Sequence, residues 1–458
     1  MNRLSIPSPG EAKALTIAER RTAGKALRTK VPRSSHATWS PAPDRPDPIS
    51  LLEESNRSRI AKLVPIRYGR MITSPFAFLR GSAVVMAGDL AMTPGTGIQV
   101  QACGDAHIAN FGTYATPERN QVFDVNDFDE TLPGPWEWDV KRLAASIVVA
   151  GRQNGFSAVS NRQAALNCLR TYRERMWEFG DMRHLDVWYS CIDEQGLLKR
   201  VGRTSRPFID RELEKAHWQT NVHVFPQLTR HINGQYSIKD DPPLITHLDD
   251  DERTLWLHAL LGGYEASLLD DRRVLFNRYH VVDLAQKVVG VGSVGTHCYI
   301  ALLLGNADSD PLFLQIKEAQ ASVLERHLGP SAYANHAQRV VCGQHLMQAA
   351  SDIFLGWTSG GSIDCYIRQL RDMKGTPSLE HLDEGNFNVY VGLCGWTLAR
   401  AHARSGDSAS ISGYLGTNDQ FDRAVATFAQ AYADQTERDH AALVAAARAG
   451  LVPVETIK

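Results

Sequence analysis

Residues 49–96 carry apolar side chains at three- and four-residue intervals, in "ISLLEESNRSRIAKLVPIRYGRM" and "PFAFLRGSAVVMAGDLAM", which is the period of helices with one buried face. The pattern changes at residue 97. "GIQVQACGD" alternates and ends in a turn, and "FGTY" and "QVFDVNDF" flank the polar turn "ATPERN", so strand, loop, strand, turn, strand is predicted. "WEWDVKRLAASIVVAGRQNG" returns to a helical period and closes on glycine, and helical spacing continues to about residue 270. From 280, "YHVVDLAQKVVGVGSVGTHCYIALLLGNADSDPLFLQIKEA" holds two or three β-rich runs around glycine turns. A helix over "NHAQRVVCGQHLMQAASD", short strands at "IFLGWTS" and "IDCYIRQL", a helix "VGLCGWTLARAHARSG" stopped by Gly406 and a helical tail over 420–449 complete the chain. The pattern predicts an α+β protein in which a small antiparallel sheet interrupts a mainly helical chain.

Composition narrows the class. With 458 residues, of which 43% are hydrophobic, the chain can bury a large core and is expected to form two or three domains or lobes. A formal net charge of −2 argues against nucleic acid or an anionic membrane surface as the default partner. The seven cysteines form no CxxC pair and no disulfide framework is needed at this size, so a reducing, cytoplasmic setting is expected. No apolar run reaches the length of a membrane helix, and no secretory leader is evident. Residues 1–48 stand apart: eight Lys/Arg against two Glu precede the proline-rich "SPAPDRPDP", which predicts a mobile or loosely docked basic arm.

Candidate chemistry begins with Gly290, Gly292 and Gly295 in "GVGSVG". Alone, the pattern fits either a dinucleotide fold or a kinase glycine loop. The first needs a helix after the third glycine, whereas "THCYIALLL" is a strand sequence, so the arrangement is either the kinase glycine hairpin that covers nucleotide phosphates or a plain hairpin with a flexible turn. Lys317 follows in "LFLQIKEA", at the end of a run with the character of a buried strand, where an ammonium needs anionic partners. It corresponds to the phosphate-holding lysine of a kinase.

Asp105 and Asn110, in "CGDAHIANFG", have the spacing of a kinase catalytic loop, in which the aspartate faces the acceptor hydroxyl and the asparagine binds Mg²⁺. The run Cys103-Gly104-Asp105-Ala106-His107-Ile108-Ala109-Asn110 departs only in its first position from the His-Gly-Asp-x-His-x-x-Asn form of small-molecule kinases, and His107 would support the loop. Asp127-Phe128 in "VFDVNDFDET" matches the metal segment, with Asp129 as a second ligand, and hard carboxylate oxygens suit Mg²⁺. Asp139 in "GPWEWDVKRLA" matches a structural aspartate that braces the catalytic loop. Singly, each of these motifs is also what an Asx-rich turn or a solvated hairpin edge would present. Their order and spacing make the joint reading the stronger one.

Lys317 follows Asp105 in the chain, the reverse of the usual kinase order. The expected architecture is therefore a two-lobed, protein-kinase-like fold that is circularly permuted, which a packed core tolerates. In that arrangement 1–48 is the arm, 49–279 a helical large lobe carrying the catalytic and metal loops, 280–375 a small nucleotide-binding lobe, and 376–458 helices completing the large lobe. It requires Lys317 to lie close to Asp127. The carboxylate partner of Lys317 is left open between Glu318 and Glu325, since the helix over 336–350 offers Arg339 and Gln344 but no acid. Arg67, Arg70 and Arg80 are expected at helix surfaces, either in intramolecular salt bridges or docking an acidic substrate.

The runs "LVPIRYGRMITSPFAFLRGSA", "CGDAHIANFG", "FDVNDFDETLPGPWEWDVKRLAAS", "KVVGVGSVGT" and "FLQIKEA" resemble a bacterial domain-of-unknown-function family, number 2252, grouped with protein-kinase-like folds. The resemblance spans about 15–440, and 103–142 is its most specific part; the catalytic loop is similar to those of aminoglycoside- and choline-kinase-type phosphotransferases. The combined expectation is a phosphotransferase dependent on ATP and Mg²⁺. Gly290, Gly292, Gly295 and Lys317 would hold the nucleotide, Asn110, Asp127 and Asp129 the metal, and Asp105 the acceptor, a hydroxyl of a small metabolite rather than of a protein. Nucleotidyl transfer (AMPylation) and a nucleotide-sensing pseudokinase that regulates a partner remain alternatives.

Overall fold

The structure, a computed structural model, describes residues 15–456 except Asn233 and Asp308; residues 1–14 of the basic arm and 457–458 at the other end lie outside the described residues. It is α+β, with long helices and several antiparallel sheets.

The strands are β1 Gln99–Ala102, β2 Phe111–Ala115, β3 Gln121–Val125, β4 Leu132–Pro135, β5 Ile192–Asp193, β6 Thr229–Ile232, β7 Gln235–Ile238, β8 Ile245–His247, β9 His280–Lys287, β10 Cys298–Leu304, β11 Pro311–Glu318, β12 Gly356–Gly360 and β13 Ile363–Gln369. Six of them form one antiparallel sheet in the order β12-β13-β11-β10-β9-β8. β10 and β11 are buried almost throughout because both faces of the sheet are covered. Tyr299, Leu303, Leu314 and Ile316 pack with Trp256 and Tyr264 on one face; Ile300, Leu302 and Phe313 pack with Ile238 and Ile245 on the other. Strand alternation then puts Lys317 on the face of Phe313 and Gln315, opposite Ile316. Beyond the apolar cover of that face, Lys317 meets the loop after β3.

The main core lies among the helices Trp136–Gln153, Ala158–Asp181, Glu384–Ser405 and Gln420–Arg448, with β1 to β4 against them. β1 pairs with β4 and β2 with β3, so the loops 103–110 and 126–131 both emerge at strand ends facing β11. Among the described residues, no helix is long and apolar enough to cross a membrane.

Two features differ from the pattern-based expectation. The stretch expected to be helical up to about 270 contains β6 and β7, joined across Asn233-Gly234, and β8, which joins the six-stranded sheet. The sheet thus recruits residues upstream of 280; the Asn-Gly pair between two short β-prone runs is the local signal for that hairpin. The described part of the basic arm is also firmly docked. Arg28 and Arg33 donate to the carbonyls of Gly413, Tyr414 and Leu415 at the C-terminal end of helix Ser408–Leu415, where helix carbonyls lack partners of their own. Arg45 bridges Asp89 and Asp439 with four hydrogen bonds of 2.7–3.0 Å. The described arginines of the arm, Arg20, Arg21, Arg28, Arg33 and Arg45, are all held by the rest of the chain.

Candidate functional site

The loop after β1 is shaped by Asp139, in the first turn of helix Trp136–Gln153. Its two oxygens accept from the backbone N–H of Cys103 at 2.6 Å and of Gly104 at 2.9 Å, and His402 Nε2 lies 3.1 Å away. His402, in the "LARAH" run, is held in turn by Tyr172 Oη at 2.8 Å from Nδ1. Gly104 has φ +81°, and a Cβ there would stand 2.2 Å from the carbonyl oxygen of Glu130, so the loop 103–110 and the loop 126–131 touch backbone to backbone at a glycine.

This brace sets Asp105 at the mouth of a cavity of about 610 Å³. Arg142, from the same helix as Asp139, forms a buried pair with Asp105 Oδ1, while Oδ2 lies 3.8 Å from His107 Nε2. Burial, against the pull of Arg142, pushes the Asp105 carboxyl up to about 7. His107 is buried against Phe76, and burial with Arg80 and Arg142 nearby keeps it neutral. Asn110 donates from Nδ2 to the Asp105 carbonyl at 2.8 Å, which leaves its amide oxygen available.

Lys317 reaches across from β11. Its ammonium, 5% exposed, pairs with Asp129 Oδ2 and lies 3.8 Å from Asp127 Oδ1. Asp129 also accepts from Tyr366 Oη at 2.8 Å. Burial pulls the Lys317 ammonium down, but the two aspartates outweigh it and hold it well above the usual lysine range. Burial and the neighbouring Asp129 push Asp127 up, whereas at Asp129 the pairing with Lys317 overcomes burial and holds the carboxyl down. Of the acids the sequence left open, Glu318 instead accepts from the His297 N–H at 2.7 Å, and Glu325 from the Ser322 N–H at 3.1 Å. Helix His336–Met347 follows the lysine strand and presents Arg339, which donates to the carbonyls of Asp129, Thr131 and Gln320 and so pins the loop carrying Asp127.

The glycine turn between β9 and β10 closes the cavity. Ser293 Oγ lies 3.4 Å from Asp129 Oδ2. The turn is clamped onto the helical stretch 59–81: the Ile60 N–H donates to Gly295 O at 2.8 Å, Arg59 to Val294 O at 2.6 Å, and Arg70 to Gly290 O. Gly290 and Gly292 line the cavity, and Gly295, at φ +88°, packs on the Arg59 side chain.

Asp105, His107, Asn110, Asp127, Asp129, Gly290 and Gly292 thus line one cavity, with Lys317 and Gly295 in direct contact with lining residues and Asp139 bracing from behind. The arginines of "IRYGRM" and "FLRG" correct the sequence expectation. Arg67 is buried and donates to Asn56 and to Gly81 O; Arg80 is half-buried; among the described residues neither these nor Arg59 and Arg70 has a carboxylate partner. Sequence reasoning missed Arg59 and Arg142, and placed Arg339 on its helix without a role. Only Arg142 had a local signal, lying three residues after Asp139 on the same helix.

The protein is an α+β protein with a polar cleft of about 610 Å³ between a six-stranded antiparallel sheet and a helical core. Residues 59–446 match the model of a family described as an uncharacterized protein conserved in bacteria, DUF2252, and the chain belongs to that family. No match was found among curated proteins or among solved structures.

Proposed function

We propose that the protein is an ATP- and Mg²⁺-dependent phosphotransferase with a kinase-like, permuted arrangement of its parts. The observation that carries this is the meeting of Lys317 with Asp127, at 3.8 Å, beside a glycine turn and the Asp105–Asn110 loop in one cavity. The lysine lies on the third strand counted from His280 and a helix follows it, as in kinases. In this reading the glycine turn and Lys317 hold the phosphates. The acceptor hydroxyl oxygen bonds to the γ-phosphorus, the bond to the bridging β–γ oxygen breaks to release ADP, and the hydroxyl proton passes to Asp105. A carboxyl at about 7 is suited to that proton transfer at neutral pH.

Asn110 and Asp127 would hold Mg²⁺. Among the described residues no three His, Cys, Asp or Glu side chains form a metal cage. Mg²⁺ commonly takes only one or two carboxylates together with substrate phosphates and water, so a single acid with an adjacent amide oxygen fits. Bound there, the ion would neutralise charge on the transferring group.

Calorimetric titration of ATP with and without Mg²⁺, on the wild type and on Asp127→Ala and Lys317→Ala, tests the reading. Metal-dependent binding weakened by both substitutions is expected; binding indifferent to both overturns it. A nucleotide sensor is a second reading, favoured by one observation: the helix after Lys317 supplies Arg339 in place of a carboxylate. In that case ATP binds as above but label from the γ-phosphate reaches no acceptor. Label from the α-phosphate appearing in product identifies nucleotidyl transfer instead.

A further inference from the structure

The acids and bases of the cavity are unevenly matched. Each flanking glutamate has a partner: Glu54 pairs with Arg326, Glu130 accepts from the Val323 N–H at 2.7 Å, and Glu318 and Glu325 accept from backbone N–H groups. Lys317 and Arg142 are matched by Asp129 and Asp105. Arg59, Arg67 and Arg80 are not matched. Arg59 and Arg67 are held by carbonyl and amide oxygens, and the Nε of all three is buried without a hydrogen-bond partner. Arg67 is 2% exposed while lining the cavity. A buried guanidinium without an anion is costly, and three converging on one space are stable only with solvent or an anionic ligand between them.

Their position selects the ligand. Lys317 and the glycine turn approach from the sheet, where the nucleotide phosphates are proposed to lie. Arg80 approaches from the helical side, on helix Pro75–Gly81, where it lies over the Phe76 ring that packs on His107 and lines the cavity together with Asp105. It therefore borders the acceptor side of the proposed transfer centre.

We infer that the acceptor carries a phosphate group as well as the reacting hydroxyl, and that Arg80, backed by Arg59 and Arg67, binds that phosphate. A phosphomonoester suits three guanidiniums better than a carboxylate does, because it brings up to two charges and three acceptor oxygens to donors that bind in pairs. The inference rests on the phosphotransferase reading and adds the class of substrate to it.

The test titrates ribose 5-phosphate, ribose, inorganic phosphate and acetate into wild-type protein already loaded with Mg²⁺ and a non-hydrolysable ATP analogue. Binding of ribose 5-phosphate and phosphate, without ribose or acetate, is expected. Arg80→Gln should weaken both by about tenfold or more while changing nucleotide affinity less than about threefold. Arg59→Gln, which also frees the glycine turn from its bond to Val294 O, should weaken phosphate and nucleotide together, and Arg80→Lys should recover part of the Arg80→Gln loss, which separates charge from folding. The inference is overturned by no phosphate binding to the loaded protein, or by equal weakening of nucleotide and phosphate by Arg80→Gln, which would assign the arginines to ATP. Acetate binding as tightly as phosphate would replace the phosphomonoester with a carboxylate and also overturn it. The nucleotide titration is read separately. Its failure removes the transfer reading and this acceptor together, whereas failure of the phosphate titration in loaded protein removes the acceptor class alone.

Discussion

Lys317 and Asp129, 188 residues apart in the chain, form a buried ion pair that joins the six-stranded sheet to the loop after β3. Removing one partner of such a pair leaves a charge without compensation, which costs far more than the pair itself contributes. Asp129→Asn is expected to destabilise the protein by about 2–4 kcal/mol, below the full cost of a deeply buried pair because Asp129 is 26% exposed. Lys317→Met in the same chain should recover most of that loss. Urea unfolding of the two single variants and the double variant measures the coupling; simple additivity would show that the pair does not join the two parts.

The carboxyl of Asp105, at about 7, predicts the pH dependence of transfer. In the proposed transfer only the ionised form would accept the hydroxyl proton, so the rate should rise about tenfold per pH unit below 7 and level off above it. Asp105→Asn should lower the plateau by about 10²–10³ and abolish the slope, with ATP affinity little changed. A pH–rate profile in saturating Mg·ATP checks this. A slope that persists in the variant would assign the proton transfer elsewhere.

How much of this was legible in the sequence differs from residue to residue. The neighbours Asp105, Asn110 and Asp127 were legible because short strands and turns join them, and the buried-strand character of "LFLQIKEA" told that Lys317 needs anionic partners. The partner of Lys317 was not legible. Glu318 and Glu325 are nearer in sequence, and only the packing of the loop 126–131 against β11 selects Asp129. The arginines at 67, 70 and 80 looked like surface residues because the helical period describes a helix's own faces, not what docks on it, and Arg59 gave no signal at all. Their burial comes from the glycine turn closing over 59–81, a contact between segments more than two hundred residues apart. The basic arm misled for the same reason: its arginines find carbonyls and carboxylates near the other end of the chain.

Asp139 is expected to matter for the shape of the loop and not for binding directly. Asp139→Ala leaves the N–H groups of Cys103 and Gly104 and the ring of His402 without their acceptor in a dry interior. The expected cost is about 3 kcal/mol, from two or three buried donors at about 1 kcal/mol or more each. His402→Ala should cost less, because Asp139 keeps both backbone partners, and the two substitutions together should cost less than their sum. Urea unfolding measures both; equal and additive losses would mean that His402 acts independently of the brace.

The docking of the arm predicts that a residue far from the cavity limits stability. Arg45 holds Asp89 and Asp439 together, with its side chain 10% exposed and both carboxylates 7% exposed. Arg45→Met fills similar space but leaves two carboxylates facing each other with Tyr432 Oη as the remaining donor to Asp89. The expected loss is about 3–5 kcal/mol, the cost of breaking a buried charge network from one side. Arg183→Ala, which breaks an exposed pair with Asp186, should leave stability at the wild-type level and serves as the control. If the arm is an independent appendage, thermal melts of Arg45→Met and Arg183→Ala will coincide; if it is part of the core, Arg45→Met will melt several degrees lower while Arg183→Ala follows the wild type.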